Sequence, residues 1–282
     1  MTGALEQIKR PVLRYHGGKW KLAPRIIQHF PPHRVYVEPF GGGASVLMRK
    51  PRSYGEVYND QWGDVVNVFR VLRDPDAAAK LQHLLELTPF ARDEFVGAYA
   101  NTGDPIEDAR RTILRSFAGF GSGSVNSQHP TGFRANSNRS GTTPAHDWVN
   151  YPRYVASFTQ RLKGVTIENR LAVAVIAQHD SPETLFYVDP PYPHATRNLR
   201  RGNAVYAVEM DDAEHRALAE VLHAAQGMVV LSSYPSELYD ELFKGWLNVE
   251  RPHRADGGRA RTEVLWLNAV ACRALRGQTL MF

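Results

Sequence analysis

Leu185-Phe186-Tyr187-Val188-Asp189-Pro190-Pro191-Tyr192 is the stretch from which the fold is read. The apolar run reads as a short buried strand. The prolines after it lack the N–H that a ladder needs, so pairing is expected to stop at Asp189. The tetrapeptide Asp189-Pro190-Pro191-Tyr192 therefore sits at a strand's carboxyl end, where open α/β sheets bind their ligands. There the Asp189 carboxylate and the Pro190 carbonyl offer two acceptors on a stiff backbone, and Tyr192 offers a flat ring. Such a group suits a planar, amino-bearing base; a Pro-Pro turn with a capping Asp is the plainer alternative.

The same pattern of strand, polar exit and helix recurs on either side. Upstream, Arg34–Glu38 reads as a strand, and Pro39-Phe40-Gly41-Gly42-Gly43 leads from it toward a helix expected over Ala44–Lys50. The glycines permit a tight turn and close approach to a cofactor, but Ser45 occupies the third glycine position of a dinucleotide fingerprint and no G-K-[ST] follows. That spacing counts against an NAD or ATP loop and leaves a cofactor loop with Glu38 at the strand end, a plain strand-helix turn being the alternative. Val57-Tyr58 then ends at Asn59-Asp60, before a helix marked by Val65, Phe69 and Leu72. An acid at that point suits two ribose hydroxyls, with a helix N-cap as the competing role. Val165-Thr166-Ile167 ends at Glu168-Asn169, and Met228–Leu231 ends at Ser232-Ser233-Tyr234. Trp246–Val249 and Glu263–Val270 are expected to pair as a closing hairpin around the basic loop Arg251–Arg261. Glu38, Asp60, Asn169 and Asp189 thus fall at the exits of strands expected in one sheet.

Between Asp76 and Lys163 this rhythm gives way to helical patterns around Ala77–Leu87, Asp93–Ala100 and Ile106–Phe117. A stretch poor in apolar residues, Gly121–Pro144, follows them. From Arg110 through Lys163 there are eight Arg and Lys against one acid, Asp147, a local net charge of +7. Interleaved Phe117, Phe120, Phe133, Asn126, Gln128, Asn136 and Asn138 add stacking and base-edge chemistry, so the segment is read as a nucleic-acid contact. Arg115, Arg134, Asn136, Asn138 and Arg139 are the expected DNA-binding residues; Arg134 and Arg139 flank the Asn-Ser-Asn run. A solvated surface loop is the alternative.

Composition bounds the rest. The chain has 282 residues, 43% of them hydrophobic, and a net charge of +5. It has no apolar run of membrane-spanning length and a polar, charged start, which points to a cytoplasmic protein. A single cysteine, Cys272, excludes an internal disulfide and a cysteine-based zinc motif; it is expected inside the strand-like run from Glu263.

Tyr15-His16-Gly17-Gly18-Lys19, Val37-Glu38-Pro39-Phe40-Gly41-Gly42-Gly43, Asn59-Asp60 and Asp189-Pro190-Pro191-Tyr192 occur here in a fixed order. In that order they resemble the motifs of the Dam-like adenine-N6 DNA methyltransferases. His16 departs from the small residue usual there, and Glu168-Asn169-Arg170 corresponds loosely to the family's adenine-contacting segment. The resemblance implies a doubly wound, Rossmann-like α/β methyltransferase sheet with a mostly helical target-recognition insertion. Residues 1–74 and 164–282 would form the catalytic domain and 75–163 the insertion. It implies a site-specific enzyme that uses S-adenosylmethionine to methylate N6 of a flipped adenine in double-stranded DNA, without a metal, in a nucleoid-associated setting. Asp189, Pro190, Pro191 and Tyr192 would be catalytic. Tyr15, Lys19, Glu38, Phe40, Gly41, Gly43, Asp60, Asn169 and Asp189 would bind the cofactor. Cytosine-N4 methylation and a catalytically silent DNA-binding protein are the alternatives, and a restriction endonuclease partner is left open.

Overall fold

The computed structural model describes residues 6–126, 130–135, 141–196, 206–254 and 260–279. The apolar runs with polar exits are strands: β1 (Val35–Glu38), β2 (Gly55–Asn59), β3 (Val165–Glu168), β4 (Thr184–Val188) and β5 (Met228–Ser233). Two further strands, β6 (Leu247–Arg254) and β7 (Ala260–Leu267), complete a sheet in the order β3-β2-β1-β4-β5-β7-β6. β1 pairs in parallel with β2 and β4, and β4 with β5; β7 runs antiparallel to both β5 and β6. Val37 is level with Val57 and Phe186, so the carboxyl ends of β1, β2 and β4 reach the same edge.

The chain forms two compact units. The sheet unit contains Lys21–Gly41, Lys50–Gln61 and Glu168–Phe282; the helical unit contains Met1–Trp20, Gly42–Arg49 and Trp62–Ile167, and the boundary falls inside β3. In the sheet unit, Val37, Val57, Phe186, Val188, Val229, Leu231, Val264 and Trp266 share a core with residues of α8 (Ala172–His179), α9 (Asp212–Ala224) and α10 (Glu237–Leu242). The alternate residues Tyr36 and Tyr187 face the other way, against Phe30, which follows α1 (Ala23–Ile27). Every residue of β4 and β5 is buried, as strands covered on both faces must be. A capping box starts α9: the Glu214 N–H donates to Asp211, and the Asp211 N–H donates back to Glu214.

The helical unit holds α2 (Gly63–Arg73), α3 (Pro75–Leu87), α4 (Arg92–Gly97), α5 (Pro105–Ala118), α6 (Pro144–Val149) and α7 (Val155–Leu162). Three of these starts use the same device, a capping oxygen followed by proline at the first helical position: Asp74-Pro75, Asp104-Pro105 and Thr143-Pro144. α2 was expected with the residues before 75. It buries Val65, Val66, Val68, Phe69, Val71 and Leu72 and packs on α3, α5 and α7, which is why the units divide ahead of it.

Two local expectations are corrected. Ala44–Lys50 is a succession of turns, and Ala44, with a φ of 50°, lies outside the right-handed helical region. The last strand ends at Leu267 instead of Val270. The Asn268 side chain there accepts from the Ala271 N–H and starts α11 (Ala269–Thr279), so Cys272 is helical. Within Gly121–Pro144, Ser122–Val125 forms a 3-10 turn and Phe133 bridges to Gly119, so the described part of that loop is folded.

Candidate active site

In the sheet unit the strand exits are tied together by Asn59, which is fully buried. Its amide donates to the Pro39 carbonyl at 2.8 Å and the Arg170 carbonyl at 3.0 Å, and its Oδ1 accepts from the Arg170 N–H at 2.9 Å. Its own carbonyl accepts from the Gly41 N–H at 2.7 Å. One side chain thus fixes the loops leaving β1, β2 and β3. Asn169 adds a second tie: its amide donates to the Asp60 and Gln61 carbonyls at 2.8 and 3.1 Å. Asp60 is half-buried, and the N-cap position of α2 is held by Trp62, whose side chain makes no capping bond.

Glu38 is buried at the end of β1 and accepts from the Tyr36 hydroxyl at 2.6 Å. Lys50 Nζ lies 4.4 Å from the centre of the Tyr36 ring and 2.9 Å from Glu56 Oε1. Burial, then the adjacent Glu38 charge, push the Tyr36 phenol well above its usual pKa, so it remains a donor to that carboxylate. Phe40 packs partly buried against the sheet core. A Cβ at Gly41 would lie 2.2 Å from the Tyr58 ring, so glycine is required there by packing.

The helical unit carries the remaining cofactor candidates. The Tyr15 ring covers Gly42, whose φ is +46°, and a Cβ at Gly43 would touch Tyr15 Cβ at 3.2 Å. The missing side chains of this loop are thus replaced by protein rings, a role the glycine pattern did not disclose. Lys19 is 5% exposed, and its Nζ donates to the Gly17 carbonyl at 2.9 Å.

Back in the sheet unit, β4 stops where the prolines begin, leaving Asp189 half-buried and Pro190 buried. Tyr192 is 3% exposed, so a base can stack on it only where a neighbouring side chain gives way. Its hydroxyl reaches Asp189 Oδ1 at 3.1 Å and Glu263 Oε1 at 2.5 Å, while Ser232 Oγ donates to the same Glu263 oxygen. Burial first, and then the Asp189 and Glu263 charges, push the Tyr192 phenol well above its usual pKa. The Tyr234 ring meets Tyr192 edge-on, with centroids 4.5 Å apart, and Arg261 lies over Tyr234 at 5.3 Å. Thr196, Tyr234, Pro235, Pro252, Arg261 and Thr262 line an open cavity of about 360 Å³. Ser232, Tyr234 and Glu263 were not singled out from sequence as site residues.

The expected DNA contacts fare differently. Arg115 is 3% exposed and donates to the carbonyls of Ala98 and Val125, to Thr112, and to Asp64 at 3.4 Å. Arg134 is buried, with Nη1 directed at the Phe117 carbonyl. Both are therefore corrected to internal residues of the helical unit, Arg115 because its guanidinium is bonded to backbone and side chains there and Arg134 because it is buried. Arg110 pairs with Glu107 and Glu94, Arg111 with Glu107, and Arg161 donates to the Leu47 carbonyl. Among the described basic residues of 110–163, Arg153 and Lys163 are exposed. Phe117 is buried against Tyr151 and Phe133 packs on Phe90, but Phe120 is 59% exposed. Asn136, Asn138 and Arg139 lie outside the described residues. Among the described residues there is no cluster fit for a metal ion and no helix long and apolar enough to cross a membrane.

A mostly parallel sheet with one reversed strand, carrying acids and amides at its parallel exits, is the arrangement of a Rossmann-like methyltransferase. Residues 15–255 match the family described as D12 class N6 adenine-specific DNA methyltransferase. That span covers most of the 282 residues, and the chain belongs to this family: it is an adenine-specific DNA methyltransferase. No curated protein matches it in a sequence search.

Proposed function

We propose that the enzyme methylates N6 of an adenine turned out of double-stranded DNA, at a defined sequence, with S-adenosylmethionine as methyl donor. The observation that carries this reading is the exit of β4, where a half-buried carboxylate and a proline carbonyl stand in succession on a backbone stiffened by two prolines.

The donor set suits that cofactor. Glu38 and Asp60 sit at adjoining exits of parallel strands, an acidic environment complementary to a sulfonium cation, an ammonium group and a ribose diol. Asp60 would take the ribose hydroxyls. Glu38, held by Tyr36, would face the cationic end, with Phe40, Gly41, Gly43, Asn169, Tyr15 and Lys19 completing the binding set. When bound, S-adenosylmethionine supplies a methyl group made electrophilic by its sulfonium charge.

The chain's own residues do the rest. An exocyclic amine is a poor nucleophile because its lone pair is delocalised into the ring. Asp189 and the Pro190 carbonyl accept its two N–H bonds, draw the nitrogen toward tetrahedral geometry and localise the lone pair. The Asp189 carboxylate then receives the proton that the methylated nitrogen releases. Extracting the base costs a few kcal/mol, which stacking and phosphate contacts offset. Residues 75–163 are assigned the recognition role, with exposed Phe120 supporting a stacking contact and Arg139, Asn136 and Asn138 retained as base or phosphate contacts. The reaction places the protein with cytoplasmic DNA.

The test is transfer from methyl-labelled S-adenosylmethionine to duplex DNA, followed by nucleoside analysis. Label in N6-methyladenine is expected; label confined to cytosine, or none in DNA, overturns the reading.

A further inference from the structure

Tyr192 has one phenolic proton and two carboxylates within reach of it. Its oxygen lies 3.1 Å from Asp189 Oδ1 and 2.5 Å from Glu263 Oε1. Ser232 Oγ, 3.4 Å from the phenol oxygen, donates to that same oxygen of Glu263. Ser232, Tyr192 and Glu263 are buried, so bulk water does not arbitrate between the two acceptors. A single O–H serves one acceptor well, and the shorter contact gives it to Glu263.

We propose that Glu263 is a positioning residue for methyl transfer, which draws the Tyr192 proton to itself and so weakens that phenol's claim on Asp189 Oδ1, the oxygen that is to accept the adenine amine. This rests on the function proposed above. Glu263 lies beyond the residues matched to the family, 15–255, and reaches the site because β7 runs antiparallel to β5 and brings its early residues to the edge where the parallel strands end. No bond is made or broken at Glu263: the proton stays on the Tyr192 oxygen, and only its direction is set. Without the Glu263 charge, the phenol turns to Asp189. One of the lone pairs needed by the amine is then occupied and its basicity is reduced.

The test is a double-substitution cycle read as separate kcat and KM values for DNA and for S-adenosylmethionine. Glu263→Gln keeps the shape and removes the charge. It is expected to lower kcat by about tenfold or more while both KM values stay within about twofold. In a Tyr192→Phe background, which has no proton to direct, the same substitution is expected to change kcat by less than about twofold. Glu263→Gln leaving kcat within about twofold of the parent, or an equal loss in both backgrounds, overturns the proposal. If thermal melting shows that Glu263→Gln does not fold, Glu263→Asp replaces it. That variant keeps the charge but withdraws it by one methylene, and a kcat loss confined to the Tyr192 parent is expected while an equal loss in both backgrounds overturns the idea. A parent enzyme that labels no adenine overturns the functional reading and this inference with it. A parent that labels adenine, combined with additive variants, overturns the inference alone.

Discussion

The helical unit and the sheet unit put their charges to opposite uses. In the helical unit, Arg110, Arg111, Arg115 and Arg161 are turned inward onto acids and backbone carbonyls, and they hold helices and loops together. In the sheet unit, Asp60 and Asp189 stand half-buried at strand exits, and Glu38 is buried at the end of β1. The position of a charge on the fold therefore reports its use better than the net charge of the segment around it.

Four substitutions would break or sharpen this contrast. The largest effect belongs to Asp189→Ala, which removes the proposed amine acceptor. Turnover is expected to fall by about 10²–10⁴-fold while DNA affinity holds, as measured by methyl incorporation alongside a binding titration. Activity within about tenfold of the parent would remove Asp189 from the mechanism. Next comes Arg115→Leu, which strands the Ala98 and Val125 carbonyls. Stability should drop by about 3 kcal/mol in denaturant unfolding. The salt dependence of DNA binding by the folded fraction should be unchanged, and a flatter slope would return Arg115 to the DNA interface. Phe120→Ala should weaken DNA binding by about 1–3 kcal/mol if the exposed ring stacks on bases; equal affinity in a fluorescence titration would leave it a bystander. The smallest effect is that of Arg153→Ala, which should flatten the log–log salt slope by about one unit without altering the methylated sequence.

The parallel strands were legible because each is a short run with apolar residues that ends in a polar exit. The prolines after Val188 mark the end of β4 in the sequence as clearly as in the structure. Helix starts were legible where a cap is local, as at Asp211. Other features depend on partners far along the chain. Glu263 lies 71 residues from the Tyr192 hydroxyl it accepts from, and Asn59 lies 111 from the Arg170 backbone it holds, so no local pattern announces either role. The count from Arg110 to Lys163 could not tell its exposed cations from its buried ones for a related reason. The acids that answer Arg110 and Arg111, Glu94 and Glu107, precede the window, and burial decides which cations meet solvent. Ala44 shows the limit of helical spacing: its left-handed backbone leaves no mark on the apolar pattern.

The placement of β7 between β5 and β6 sets an order on biosynthesis. A growing chain that has reached Arg254 already carries β4, β5 and β6, yet the neighbour of both β5 and β6 has still to be made. Until then β5 presents an open edge, the kind of surface that recruits other strands. Asp189, Tyr192 and Ser232 meanwhile wait without Glu263. Insertion of one late strand closes that edge and supplies the buried carboxylate in the same event, so protection from misassembly and completion of the proposed site are reached together.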